Sequence, residues 1–261
     1  MSFSPEILLL FFFIALVAAT IDAIAGGGGL IMLPALLATG MLPAVAVATN
    51  KVGAVGGSFS AALHFIRKGH VRLRDLIPHI LCVFVGAVLG AVVVSFLSAR
   101  ILMLMIPFML IGFAVFFLFS PNLGVREEQA RLSAPMFIGF ICPLLGVYDG
   151  FCGPGTGTLM VVACVMLQGF SMLKATATTK VLNATSNIAA LLFFIVHGQI
   201  FWEIGLVMLA GQLVGGNLGA RIAISKGQRL IRILMVVVSI AMSIKLLLGD
   251  TLAAMVAQWF H

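Results

Sequence analysis

The chain has 261 residues, of which 62% are hydrophobic and only 9% charged, and it carries a formal net charge of +7. An ordinary globular domain is about a quarter charged, so a soluble protein is excluded and lipid must complete the core of an all-α polytopic membrane protein. The basic excess does not point to nucleic acid, because the arginines and lysines mostly punctuate apolar runs and therefore report topology.

Apolar runs between charged or Gly/Pro punctuation predict segments at about 6–25, 30–40, 43–66, 76–97 and 101–120, then at about 135–152, 157–168, 174–197, 203–221 and 233–249. The first run starts at Ile7 with Glu6 and no Lys or Arg before it, so a retained helix with an outside N-terminus is expected rather than a cleaved signal. Most segments approach the ~20 residues that a helix needs to cross ~30 Å of hydrocarbon. The segments at 30–40 and 157–168 do not. Each follows a glycine-rich break and reads as a half-helix or re-entrant piece. The stretch 121–134 is the one extended hydrophilic piece, and it divides the chain into a first membrane repeat (1–120), a cytoplasmic linker and a second repeat (135–261) within one membrane domain. Cys82, Cys142, Cys152 and Cys164 all lie in apolar segments without CxxC spacing, which suits packing rather than redox or metal chemistry.

The two halves repeat each other at an offset of 127 to 129 residues. Asp22-Ala-Ile-Ala-Gly-Gly-Gly-Gly and Ala48-Thr-Asn-Lys-Val return as Asp149-Gly-Phe-Cys-Gly-Pro-Gly-Thr-Gly and Ala177-Thr-Thr-Lys-Val. Gly86-Ala-Val-Leu-Gly-Ala returns as Gly215-Gly-Asn-Leu-Gly-Ala. Counting basic residues sets the orientation. With the N-terminus outside and five crossings per half, the inside connections hold Arg67, Lys68, Arg72, Arg74, Arg126, Arg131, Lys174, Arg221, Lys226, Arg229 and Arg232, against Arg100 alone outside. Both termini are then expected outside, and two inverted repeats of about five segments each are expected; re-entrant short pieces would lower the crossing count.

A charged side chain at the bilayer centre costs about 2.5–3.5 kcal/mol, so Lys51 and Lys180 each need a reason. Snorkelling is one; recurrence in both halves argues for a buried role. Lys245 has Phe116 as its repeat partner and is expected to snorkel. Asp22 and Asp149 can cap a helix terminus, bind a proton or cation, or act as counter-charges to the lysines. The glycine runs (Gly26, Gly27, Gly28 and Gly29; Gly153, Gly155, Thr156 and Gly157) lack a P-loop ending. Their physical sense is to break a helix inside the membrane and to start another, whose N-terminal amides carry partial positive charge. Two such ends, with Lys51 and Lys180 and with neutral donors from Thr49, Asn50, Thr178, Thr179, Asn183 and Asn187, point to a small anion near the midplane.

On the Asp22 glycine run, the Ala48-Thr-Asn-Lys motif and their second-half echoes, the chain resembles the TauE/SafE family of sulfite and organosulfonate transporters across about residues 7–249. The resemblance implies a bacterial inner-membrane protein made of duplicated hydrophobic halves, with sulfite, a sulfonate or a related small oxyanion as cargo. Thr179 in place of Asn50, and Pro154 in the second glycine run, imply unequal contributions from the halves. The expected function is secondary transport by alternating access, with a proton or cation as the candidate coupling partner, an anion channel on the same residues as the alternative and an intramembrane enzyme as a remote one. No catalytic motif, nucleotide motif or cofactor is expected; cargo, direction, coupling ion and oligomeric state are not fixed by the residues.

Overall fold

A computed structural model describes residues 3–97, 129–151, 153–198 and 200–225. The first half contributes α1 (Pro5–Ala25), α2 (Gly28–Leu37), α3 (Pro43–Arg67) and α4 (Leu73–Phe96). The second contributes α5 (Ala134–Phe151), α6 (Thr156–Gln168), α7 (Met172–His197) and α8 (Trp202–Ser225). The segments expected at 101–120 and 233–249, with Lys245 and most of the 121–134 linker, lie outside the described residues.

Local chemistry explains the ends. Ser4 accepts a hydrogen bond from Ile7 N (3.4 Å) with Pro5 in the first turn, an ordinary start for α1. Gly26 stops α1 with φ +81°, a conformation that glycine adopts without penalty. In the second half Gly153 (φ +84°) stands at the same point, but Gly155 (φ +75°) is needed too, because Pro154 lengthens the break. The helices begin up to three residues before the apolar runs suggested, since their first turns take in residues that are not strongly apolar: Pro5 after Ser4 in α1, Gly28 and Gly29 in α2, and Arg74 and Asp75 in α4.

α1, α4, α5, α7 and α8 are each long and apolar enough to cross a membrane. α3, at 25 residues, is equally long but richer in Gly, Ser, Thr and Asn. It tolerates this because it packs against α7 inside the bundle, where neighbouring helices rather than lipid surround its polar positions. α2 and α6, with 10 and 13 residues, rise only about 15 and 20 Å, short of a crossing.

Two apolar clusters order the helix ends. One collects the starts of α1, α3 and α8, the ends of α4, α5 and α7, and nearly all of α2: Phe11, Ala46, Ile204, Val94, Phe151, Phe194 and Leu33. The other collects the opposite ends together with α6: Ile24, Phe65, Ala220, Val83, Phe137, Met172 and Met160. Every described Lys or Arg except Lys51 and Lys180 lies beside this second cluster, at Arg67, Lys68, Arg72, Arg74, Arg131, Lys174 and Arg221.

The small-residue strings hold the halves together crosswise. Gly86 and Gly90 of α4 press on the backbone of Pro143 and Val147 in α5, while Gly215 and Gly219 of α8 press on Leu16 and Thr20 in α1. The same contact is made twice, once by each half's fourth helix on the other half's first. A Cβ at Gly90 would fall on the Val147 carbonyl and the Phe151 amide, backbone atoms that cannot swing aside. Gly90→Leu is therefore expected to destabilise by at least about 1–3 kcal/mol, read as a lower melting temperature in detergent, whereas leucine at Gly139, which has open space around it, should leave melting unchanged.

Candidate functional site

The breaks after α1 and α5 bring two helix N-termini together between the halves. A Cβ on Gly26 would collide with Gly157, and one on Gly29 would sit 3.2 Å from Pro154 Cα. The hydroxyl of Thr158 donates to the Ala25 carbonyl at 2.7 Å, satisfying an end of α1 with a side chain of α6. Bare backbone is thus packed on bare backbone, which only glycine permits at Gly26 and Gly157.

The charged residues meet across this junction. Lys51 on α3 donates to Asp149 Oδ1 (2.9 Å), to the Asp149 carbonyl (2.5 Å) and to Asn187 Oδ1 (2.9 Å), so all three ammonium protons are used. Lys180 on α7 pairs with Asp22 Oδ2 at 2.7 Å. Each half's lysine is neutralised by the other half's aspartate. Both lysines are fully buried, so snorkelling does not describe them.

The two aspartates differ in how firmly they are held. Asp149 is 2% exposed and also accepts from Asn183 Nδ2 (3.0 Å) and from the Ser186 hydroxyl. Asp22 is 19% exposed; besides Lys180 it accepts from Gly28 N (3.0 Å), capping α2. Capping and counter-charge, alternatives in the sequence, are one role at Asp22. A Cβ at Gly153 would come within 3.0 Å of both Asp149 Oδ1 and Lys51 Nζ, so glycine there keeps the ion pair closed.

A cavity of about 30 Å³, room for one or two waters, lies among these groups. Asp22, Gly26, Gly28, Gly29, Asn50, Lys51, Asp149, Gly153, Gly157, Asn183 and Asn187 line it. Gly27, which caps α2, and Lys180, Gly155, Thr156, Thr49, Thr178 and Thr179 do not. Thr156 bonds to the Gly153 carbonyl (2.7 Å), and Thr49 Oγ1 accepts from Phe201 N (3.1 Å). Gln212 on α8, Met32 and Ala54 also line the cavity and were not expected. Gln212 rests on Gly53 and Gly57 of α3, and its Nε2 is buried with no hydrogen-bond partner among the described residues. Its one sequence signal is an amide within an apolar run, which it shares with Asn217.

A duplicated bundle of membrane-crossing helices, with paired charges and a polar cavity buried at its centre, is the architecture of a multi-pass membrane transporter. The chain belongs to the TauE/SafE family, whose model, described as sulfite exporter TauE/SafE, matches residues 11–246. It is 45% identical over its whole length to a probable membrane transporter protein of Haemophilus influenzae, which it also covers completely. It is 46% identical to the probable membrane transporter protein YfcA of Escherichia coli K12, over 94% of this chain and 91% of that one. A probable membrane transporter protein, ORF9, of a Sinorhizobium species is 43% identical over 88% of each chain. No solved structure matches the chain.

Proposed function

We propose that the protein is a secondary transporter of small sulfur-containing anions (sulfite, sulfonates or related oxyanions), working by alternating access around the cavity between its halves. The observation that carries this reading is the reciprocal pairing of Lys51 with Asp149 and of Lys180 with Asp22 where two helix N-termini meet. With both pairs closed, the side-chain charges sum to zero. An anion entering alone would leave a net negative charge in a low-dielectric site, which is costly. If it replaces a carboxylate at one lysine while that carboxylate takes a proton, the site stays neutral. The lysine then holds the anion by a charge-assisted hydrogen bond, and the amides of Asn50, Asn183, Asn187 and Gln212 complete its polar shell. A coupling proton thus follows from charge balance.

The family description favours a sulfur oxyanion, and the buried ammonium and amide groups suit any small oxyanion. The two halves act as inverted repeats in this reading. Its support is that α1, α3 and α4 each run between the two apolar clusters in the sense opposite to α5, α7 and α8 respectively. The basic end faces the cytoplasm by the positive-inside rule, in a bacterial inner membrane as the bacterial relatives suggest.

The test is uptake into proteoliposomes of labelled sulfite, sulfate, sulfoacetate, taurine and thiosulfate, with and without a pH gradient. Saturable uptake of at least one sulfur oxyanion is expected, accelerated by the same anion preloaded inside. Uptake without that acceleration would make the protein a channel, and no uptake of any member of the panel would sink the anion reading.

A further inference from the structure

The basic ends of α3 and α8 leave an open pocket of about 600 Å³ between them, lined by His64, Arg67, Lys68, Asn217, Arg221 and Ser225. It shares no lining residue with the central cavity. Between the two spaces the helices touch: Gly216 presses on the backbone of Gly57, and the Ser60 hydroxyl donates to the Leu213 carbonyl at 2.7 Å. The pocket is therefore not an entrance to the paired lysines. We propose that it binds the headgroup of an anionic glycerophospholipid in the leaflet on the basic side. The cations hold its phosphate, and an acyl chain follows the apolar seam between α3 and α8.

The charge of the pocket is unopposed. Among the described residues the side chains of Arg67, Lys68 and Arg221 make no ion pair or hydrogen bond, and no carboxylate lines the space. Asp75, the one described carboxylate at this end of the bundle, lines a different cavity with Arg72. Like charges gathered at one concavity repel, and an anion placed among them removes that cost. The guanidinium forks of Arg67 and Arg221 match phosphate oxygens, while His64, Asn217 and Ser225 offer neutral hydrogen bonds to the glycerol oxygens.

Helical spacing joins this polar end to an apolar track. Phe59, Leu63 and Arg67 stand one turn apart on α3, as do Leu213, Asn217 and Arg221 on α8. Phe59 and Leu213 are exposed along the crossing, where a membrane-spanning bundle meets hydrocarbon. A soluble anion would match only the cations, whereas an anionic phospholipid matches both ends. The pocket is also not duplicated. At the 129-residue offset Arg67 becomes Val196, Arg221 becomes Val92, His64 becomes Phe193 and Asn217 becomes Val88. Lys68 becomes His197, whose ring is spent in stacking on Phe193 at 4.7 Å. Lipid held in this way sits in one leaflet only.

Native mass spectrometry of the full-length protein, delipidated and then titrated with lipid, reads this binding directly. Phosphatidylglycerol should be retained, and phosphatidylcholine with the same chains should bind about tenfold or more weakly. Arg67→Gln/Arg221→Gln should weaken phosphatidylglycerol binding by about 25-fold, roughly fivefold per cation removed. Arg72→Gln/Arg74→Gln removes the same charge from the same end outside the pocket, and should change binding by no more than about twofold. All four arginines are exposed, and melting without lipid checks that both variants fold. Arg221→Glu, which reverses one charge, serves as an independent second variant and should also weaken binding. Equal weakening by the two double variants would overturn the proposal, leaving a diffuse attraction to a basic surface, as would equal binding of the two lipids. Inorganic phosphate and glycerol phosphate should raise the melting temperature less than phosphatidylglycerol does. Equal protection by them, lost in Arg67→Gln/Arg221→Gln, would overturn it in favour of a soluble phosphate compound. A dimer that excludes the lipid would assign the face to a second copy and overturn it as well. None of these measurements needs turnover, so a failure of anion uptake would remove the transport reading without altering the lipid result.

Discussion

Replacing Asp149 by leucine should destabilise the protein by about 3–5 kcal/mol, the usual consequence of leaving a buried charge without its partner. Lys51 would keep only Asn187 and a backbone carbonyl, and at 1% exposure it can gain no more than the one or two waters that the adjoining cavity holds. Removing both ions together should hurt less. In Lys51→Met/Asp149→Leu the charge problem disappears and apolar volume replaces it, although Asn183 Nδ2 and the Ser186 hydroxyl lose an acceptor. The double variant should therefore recover a large part, and not all, of the loss, as read by thermal melting in detergent across the four-member cycle. If the single and double variants melt at the same temperature, the ion pair is not what holds α3 to α5.

Asp22→Asn should abolish coupling and also cost stability, because buried Lys180 would keep a neutral oxygen in place of its counter-charge. The asparagine oxygen can still accept from Gly28 N and cap α2, while the charge facing Lys180 is gone. In the proposed mechanism Asp22 is the aspartate assigned to coupling, because it is the more exposed and less heavily bonded of the two. With one proton moved per singly charged anion, the normal protein should accumulate anion on the order of tenfold per pH unit of gradient. The Asp22→Asn protein should accumulate none, yet should still exchange labelled for unlabelled anion, with the anion itself replacing the missing counter-charge of Lys180. Retained gradient-driven accumulation in this variant would assign coupling to another group.

The sequence disclosed the centre of the protein through its duplication and hid what was not duplicated. Lys51, Lys180, Asp22 and Asp149 stood out because an ionisable residue in an apolar run recurs at the matching place. Their crossed pairing did not, since nothing in linear order says that α3 of one half lies against the break in the other. Gln212 has Val83 as its repeat partner and Ser186 has Gly57, so a search guided by symmetry passes over both. The threonines were legible as polar groups near the lysines, but only packing decides that Thr49 is spent on Phe201 N while Thr178 faces a cavity. Helix positions came through well because apolar runs bounded by Pro, Gly and charge leave little freedom. The polar content of α3, which dilutes its hydropathy, becomes intelligible only from its central place beside α7.

The crossed glycine contacts also constrain how the chain is made. α1 is gripped by α8 and α4 by α5, so neither half owns the neighbour that its first and fourth helices need. At a synthesis rate of about 5–20 residues per second, α4 waits roughly 3–11 s for α5 to be completed, and α1 waits roughly 10–40 s for α8. Until the second half follows, bare glycine grooves and the unpaired Asp22 and Lys51 stand open in the bilayer. A nascent chain that stalls midway is thus a half-clasp in search of a mate, and a second unfinished copy offers the same surfaces. Insertases and membrane proteases that survey newborn helices would meet this protein at its most vulnerable before its last helices arrive.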